Sequence, residues 1–119
     1  LPAPGQGALA VQCRADDQTS LGLLAGLDDE STRNMVTAER AFLSGLGGGG
    51  AGPGAAYAGG SVHAQSSSLR LTGLVISEDG SKAIRVTGEG SEALQLGDEL
   101  AQKAIARGAS EILAVNGVK

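Results

Sequence analysis

The chain has 119 residues, which is enough for one domain and too few for two well-buried ones. Its 9 Lys and Arg residues against 13 Asp and Glu residues leave a formal net charge of -4. This balance argues against nucleic-acid binding, because a phosphate backbone requires a basic stripe, and aromatic residues, at 2%, offer almost no stacking surface. A single cysteine excludes an internal disulfide, and no apolar run approaches the ~20 residues of a membrane helix. We therefore expect a cytoplasmic protein that binds neither nucleic acid nor membrane.

The first part of the chain predicts a strand followed by a short helix. Ala8–Cys13 is short, mostly apolar and preceded by glycine, which favours a buried strand in which Cys13 is a small buried hydrophobe. The short helix carries leucines, and three residues are candidate caps at its start: Asp16, Asp17 and Thr19. Because a Pro/Gly-rich turn leads directly into the first strand, we expect an incomplete piece whose strand lacks its neighbours.

A longer amphipathic helix is predicted from about Thr32 to Leu46. The acidic run before it complements the positive end of a helix, and an apolar stripe follows at helical spacing: Met35, Phe42 and Leu46. Glu39 and Arg40 lie in the middle of this helix. We interpret them as a solvated face or a surface ion pair, with a structural salt bridge to an adjoining domain as the alternative.

Glycines end this helix, and the stretch from Leu46 to Gly60 is mostly Gly and Ala. Ala55–Ala58 is a candidate strand within it. The glycine run lacks the Gly-Lys-Ser/Thr ending of a phosphate-binding loop, so a linker or an altered functional loop fits it better. The only histidine, His63, has no cluster of His or Cys around it, which favours an exposed loop residue over a metal ligand.

The second half predicts a β-hairpin and a final long helix. Leu69–Val86 alternates apolar and polar residues on both sides of an Asp-Gly turn. Ser91 is a candidate cap for the helix, which ends at Arg107 and Gly108 and has four residues on its inner face: Leu94, Ala101, Ala104 and Ile105. Ala109–Val115 is a helical turn or a strand. The resulting fold class is α+β, with helices on one face of a small antiparallel sheet.

Two segments closely resemble the hydroxymethylbilane synthase family, also called porphobilinogen deaminase. Leu1–Arg14 resembles the family motif Leu-Pro-Ala-x-Gly-Gln-Gly-Ala…Glu-Cys-Arg, and Val36–Leu43 resembles the helix that leads into Gly-Gly-Cys-x-Val-Pro. Later matches follow in the same order: Gly73-Leu74-Val75, Asp79-Gly80, Leu96-Gly97…Leu100-Ala101 and Gly108-Ala109…Ile112-Leu113. The resemblance covers essentially the whole chain.

The resemblance implies a three-domain protein of which this chain is the C-terminal part. Residues 1–28 would be the strand and helix that return to an upstream α/β domain. Residues 29–119 would be the C-terminal domain, with a three-stranded antiparallel sheet covered by helices. The missing N-terminal domains would carry the catalytic aspartate and most of the arginines that bind the substrate, so no catalytic residue is expected in this chain.

The family builds a linear pyrrole chain in tetrapyrrole (heme) biosynthesis. It joins four porphobilinogens head to tail with loss of ammonia, on a dipyrromethane cofactor held by a cysteine thioether. This chain departs from that pattern, because the attachment cysteine falls at Gly50, and the neighbouring Val and branched positions fall at Gly52 and Gly54. Cys13 corresponds to a structural cysteine of the family, and Gln12 replaces the usual Glu.

The resemblance implies four cofactor-site positions. Gln6 would line the cleft, Gly48 and Gly49 would shape the attachment loop, and Gly50 marks the place of the thioether. No metal site is expected. We expect a monomer that is inactive alone as part of a transferase; the alternative is a non-catalytic relative that acts as a structural or interaction domain.

Overall fold

The computed structural model describes residues 1–47, 54–60 and 68–115. Within them, four helices and three strands follow one another: α1 Gln18–Ala25, α2 Glu30–Gly45, β1 Gly54–Gly60, β2 Leu69–Ile76, β3 Ala83–Gly90, α3 Ala93–Ala106 and α4 Ala109–Val115. The strands form one antiparallel sheet in the order β1-β2-β3. The predicted α+β class, with its three-stranded antiparallel sheet, is therefore confirmed.

The sheet buries one face because its strands alternate. The side chains of Leu69, Leu71 and Val75 on β2 are buried, whereas those between them are partly or fully exposed. β1 pairs with β2 from Gly54 opposite Val75, and β3 pairs with β2 from Leu69 opposite Gly90. The predicted hairpin is confirmed, and the candidate strand Ala55–Ala58 lies within β1.

The α2 helix begins at Glu30, two residues before the predicted start, because Asp29 caps it. One carboxylate oxygen of Asp29 accepts the Thr32 hydroxyl at 2.6 Å and the Thr32 backbone N–H at 2.9 Å. Both hydrogen bonds lower the pKa of Asp29, and the bond from the Thr32 hydroxyl has the larger effect. This cap confirms that the acidic run before the helix is a start signal.

Close contact between α2 and the sheet depends on a glycine. The Phe42 side chain is 0% exposed, and its ring occupies the place that a Cβ atom on Gly73 would take. Gly73 lies in the middle of β2, opposite Ala56 of β1 and Val86 of β3. The missing side chain lets the ring lie directly on the strand backbone, which brings α2 close to the sheet.

The crossing of α2 and α3 is equally close. A Cβ atom on Gly97 would lie 2.5 Å from the Ala38 carbonyl oxygen and 2.5 Å from the Ala41 Cβ. A Cβ on Gly45 would lie 2.6 Å from the Ala101 Cβ. Small residues therefore face each other along this crossing, so the two helix backbones approach more closely than larger side chains would allow.

Two predictions for α3 were wrong. The N-cap is Glu92 rather than Ser91, and it makes no side-chain capping bond. Leu94 is 69% exposed, because the buried side of the helix is formed by other residues together with the predicted Ala101 and Ala104: Leu96, Gly97 and Leu100. The predicted end is confirmed, since Arg107 is the C-cap and Gly108 has a φ of +104°.

The strand predicted at Ala8–Cys13 was also wrong. The segment is not a strand and pairs with no strand among the described residues. Leu9 is 98% exposed, Val11 is 65% exposed, and Cys13 is only partly buried. A strand requires a neighbouring strand to pair with its backbone N–H and C=O groups, and an apolar sequence pattern alone does not supply that partner. The α1 helix that follows is capped by Asp17 but buries no residue.

Replacing Phe42 by Ala should lower the free energy of unfolding by about 3–5 kcal/mol, because it removes a fully buried ring and leaves a cavity over Gly73. Urea unfolding followed by circular dichroism measures this loss. Leu94→Ala is the matched control on an exposed position, with a change within about 0.5 kcal/mol. A loss below about 1 kcal/mol for Phe42→Ala would show that the ring is not at the centre of the core.

Replacing Gly97 by Ala should destabilise the fold by about 1–3 kcal/mol, because the added Cβ would press on the backbone of α2. Gly22→Ala in α1 is the control, since a Cβ there meets nothing within 4 Å and Ala favours a helix. The midpoint of urea unfolding should fall for the first variant and not for the second. Equal midpoints for the two variants would contradict the close helix crossing.

The turn between β2 and β3 contains an ionised carboxylate with several donors. Asp79 accepts the Ser81 backbone N–H at 3.0 Å and the hydroxyls of Ser77 and Ser81 at 2.7 Å each. These hydrogen bonds lower the pKa of Asp79 to about 2. The Ser81 N–H contributes most to this lowering, followed by the Ser77 hydroxyl and then the Ser81 hydroxyl. The turn is thus stabilised by the charged form of this side chain.

Acid should therefore loosen this turn. The folded pKa of Asp79 lies below its ordinary value of 3.8, so the stabilisation is complete above pH 3.8 and is lost as the pH falls towards about 2. NMR titration of the Asp79 carboxyl carbon and of the Ser81 amide should report a common midpoint near pH 2. The Ser81 amide should lose this transition in Asp79→Asn. A midpoint at or above 3.8 would rule out the hydrogen-bonded turn.

Candidate cofactor loop and its anchors

The predicted attachment loop joins α2 to β1, and both of its ends are described. Leu46 is the C-cap of α2, and Gly47 follows with a φ of +80°, a conformation that favours glycine. At the other end, a Cβ on Gly54 would lie 3.3 Å from Leu43 Cδ1 and 3.4 Å from Leu46 Cδ1. The start of β1 thus packs on the last turn of α2, which brings the two ends of the loop together.

The loop positions named from the sequence lie between these anchors. Gly48, Gly49 and Gly50 are outside the described residues, as are Gly52 and His63. Their assignments as loop-shaping residues, thioether position and loop histidine remain predictions. The described residues on either side are the C-terminal end of α2 and the start of an edge strand of the sheet.

Gln6 lies in a tight turn at the start of the chain. Its backbone N–H donates to the Ala3 carbonyl at 3.1 Å, and its side-chain Oε1 accepts the Ala3 N–H at 3.2 Å. Gly5 and Gly7 on either side have φ values of +77° and +88°, which only glycine adopts readily. The Gln6 side chain is exposed. Its amide nitrogen is therefore the group that this turn can offer to a ligand.

Glu39 connects the Gln6 turn to β1. Its Oε2 accepts the backbone N–H of Gly5 at 2.7 Å, and its Oε1 accepts the backbone N–H of Ala58 at 2.9 Å. The residue is only 7% exposed. The sequence prediction of a solvated face or surface ion pair was therefore wrong for Glu39, because two backbone donors from distant segments replace water around its carboxylate.

The sequence contained a signal for this burial. Glu39 lies four residues after Met35 and three residues before Phe42, so it falls on the same helical stripe as the core residues. A carboxylate on a buried stripe requires hydrogen-bond donors. The sequence does not reveal that these donors are the backbone amides of Gly5 and Ala58, because the partners are 34 and 19 residues away.

An open groove runs between the first turn of the chain and α2. Arg40, which is exposed, and Arg33 line it together with Gly7, Leu9 and Asp28. The Arg33 guanidinium forms an ion pair with the Asp28 carboxylate at 2.5 Å, and both side chains are well exposed to water. One of the two arginines that line the groove is therefore already paired with a carboxylate.

The described residues contain no group of three or more His, Cys, Asp or Glu side chains that could hold a metal ion. Over the same parts of the chain, no helix has both the length and the apolar character needed to cross a membrane.

These features define an α+β domain with helices on one face of a three-stranded sheet, in which a glycine-rich sequence separates the first long helix from the edge strand. Residues 34–106 match the family described as "Porphobilinogen deaminase, C-terminal domain". The chain belongs to the porphobilinogen deaminase family. This finding confirms the resemblance seen in the sequence.

Curated relatives match along nearly the whole chain. The porphobilinogen deaminase of Brevibacillus brevis is 46% identical over 114 residues, which cover 96% of this chain and 36% of the relative. The porphobilinogen deaminase of Acidothermus cellulolyticus is 46% identical over 119 residues, which cover 95% of this chain and 35% of the relative. The porphobilinogen deaminase of Bacillus thuringiensis is 44% identical over 117 residues, which cover 98% of this chain and 37% of the relative. The chain thus spans little more than a third of the length of these relatives.

Proposed function

We propose that this chain is the C-terminal part of a transferase of tetrapyrrole (heme) biosynthesis, which joins porphobilinogens head to tail into a linear pyrrole chain with loss of ammonia. The family match over 34–106 is the observation that carries this proposal. Residues 29–119 would form the C-terminal domain. Residues 1–28 would return to an upstream domain, in line with the exposed apolar side chains found there: Leu9, Val11, Leu23 and Leu27.

The dipyrromethane cofactor of the family does not fit this chain as a covalent group. A thioether requires a cysteine sulfur, and the only cysteine in the sequence is Cys13, in the extended segment before α1. Gly50, the position that corresponds to the attachment cysteine, has no side chain. We therefore derive no reaction step through this cofactor. What the chain retains of the site is the Gln6 turn and the two anchors of the loop.

Substrate binding also requires groups outside this chain. Porphobilinogen carries acetate and propionate side chains, which cationic donors such as arginine hold best. The chain has a net charge of -4, and the exposed Arg33 in its groove is already paired with Asp28. We propose that the missing N-terminal domains supply the arginines and the catalytic aspartate. We further propose that the protein is cytoplasmic, in line with its single cysteine, and monomeric, as expected in 'Sequence analysis'.

A second candidate function is that of a non-catalytic structural or interaction domain. The packing at Gly54 favours it, because Leu43 and Leu46 occupy the space beside that residue. A branched side chain there would require these leucines to move. The loop anchor is therefore compatible with glycine in place of the bulkier residue expected from the family pattern.

The purified chain should form no bilane from porphobilinogen, because it lacks both the thiol and the cationic cleft. Mass spectrometry after incubation, together with a colour reagent for dipyrromethanes, measures this. Added mass or appreciable bilane from the 119-residue chain alone would contradict the proposal.

A chimera separates the two candidate functions. This chain would replace the matching C-terminal third of the Brevibacillus brevis enzyme, either unchanged or with Gly50→Cys. We expect the mass of a dipyrromethane adduct only with Gly50→Cys, and not with the control Ser110→Cys on the exposed side of α4. Continued absence of the adduct in a folded Gly50→Cys chimera would favour the non-catalytic domain.

A further inference from the structure

We infer that Glu39 is a positioning residue, whose single carboxylate couples the Gln6 turn to strand β1 so that the two move as one unit. This inference deepens the proposed function and rests on it for the meaning of the two segments. One segment carries the cleft residue Gln6. The other begins at Gly54, at the end of the attachment loop.

The geometry of the carboxylate supports this coupling. Oε2 accepts the Gly5 N–H at 2.7 Å, and Oε1 accepts the Ala58 N–H at 2.9 Å, so each segment holds one oxygen of the same group. Hydrogen bonds from N–H groups to an ionised carboxylate are shorter and stronger than those to a neutral acceptor. The turn and the strand therefore share a partner through which a displacement of either one is transmitted.

The chemistry of the position requires glutamate. A glutamine has the same shape, but its NH₂ group cannot accept a hydrogen bond, so it can satisfy only one of the two amides with its oxygen. An aspartate keeps the charge, but it is one methylene shorter. Both donors are backbone amides, which cannot be changed by side-chain substitution. Replacing Glu39 therefore weakens the coupling without altering either segment.

The surrounding structure holds the carboxylate in place. Glu39 lies one turn before Phe42, which is fully buried against Gly73 of β2. It also directly follows Ala38, whose carbonyl faces Gly97 of α3. The glutamate backbone is therefore fixed by the core on both sides. The carboxylate position is set by the packed core, and the turn and the strand each bind to it.

Amide hydrogen exchange of the 119-residue chain, measured by NMR, tests the hydrogen bonds. In Glu39→Gln, the Gly5 or the Ala58 amide should exchange at least about tenfold faster, because one of the two loses its acceptor. Core amides such as those of Val75 and Ala101 should keep their protection. Glu30→Gln on the exposed first turn of the same helix is the matched control and should leave all four amides unchanged.

A spin label tests the coupling itself, through a signal that would not change if Glu39 only stabilised the fold. The label is attached through Gln6→Cys in a chain that also carries Cys13→Ser, and the broadening of the Ala58 amide signal is measured. The label should broaden this signal when Glu39 is present. It should broaden it at least about threefold less in Glu39→Gln, because the turn is then free to leave β1. Glu39→Asp should show an intermediate effect.

Three results would overturn the inference. They are unchanged protection of both amides in Glu39→Gln, unchanged broadening of Ala58, or global unfolding of both the Gln and the Asp variants, which would make Glu39 a residue of stability alone. None of these measurements depends on cofactor attachment. Failure of the Gly50→Cys chimera to acquire an adduct would contradict the proposed function. The coupling by Glu39 would still be tested by the amide exchange and the spin label.

Discussion

The buried carboxylate of Glu39 is the interaction on which the arrangement of the candidate site depends. It joins three parts of the chain that are far apart in sequence: the first turn, the middle of α2 and the edge strand β1. A carboxylate removed from water is unfavourable unless donors replace its hydration. Both oxygens are satisfied by backbone amides here, so a potentially destabilising group becomes a specific connection between these segments.

Two glycines determine where that carboxylate lies. Gly73 lets the Phe42 ring rest on the middle strand, and Gly97 lets α3 approach the backbone of α2 at Ala38. Glu39 is placed between these two close contacts, in the buried core of the domain. The flanks of the site are different in character. Leu9 is almost completely exposed, and the extended segment around it packs poorly on the described domain.

Membership of the porphobilinogen deaminase family and the absence of a thiol at Gly50 create an instructive contrast. Around the predicted attachment position, Leu46 is the C-cap of α2, and Gly54 packs on Leu43 and Leu46. The atom that would form the covalent bond is not retained. A family's fold does not by itself supply its chemistry, which depends on individual side chains.

The sequence by itself determined the long helices, the hairpin of the sheet and the family, because period, turn residues and capping signals are local properties. The Asp29 cap, the Asp79 turn and Gly108 after α3 were all visible in the sequence. Three features were decided only by tertiary structure. Ala8–Cys13 had the pattern of a strand but not the partner that a strand needs, and the phase of α3 exposed Leu94. The role of Glu39 depended on amides 34 and 19 residues away, and no local pattern contains contacts of that range.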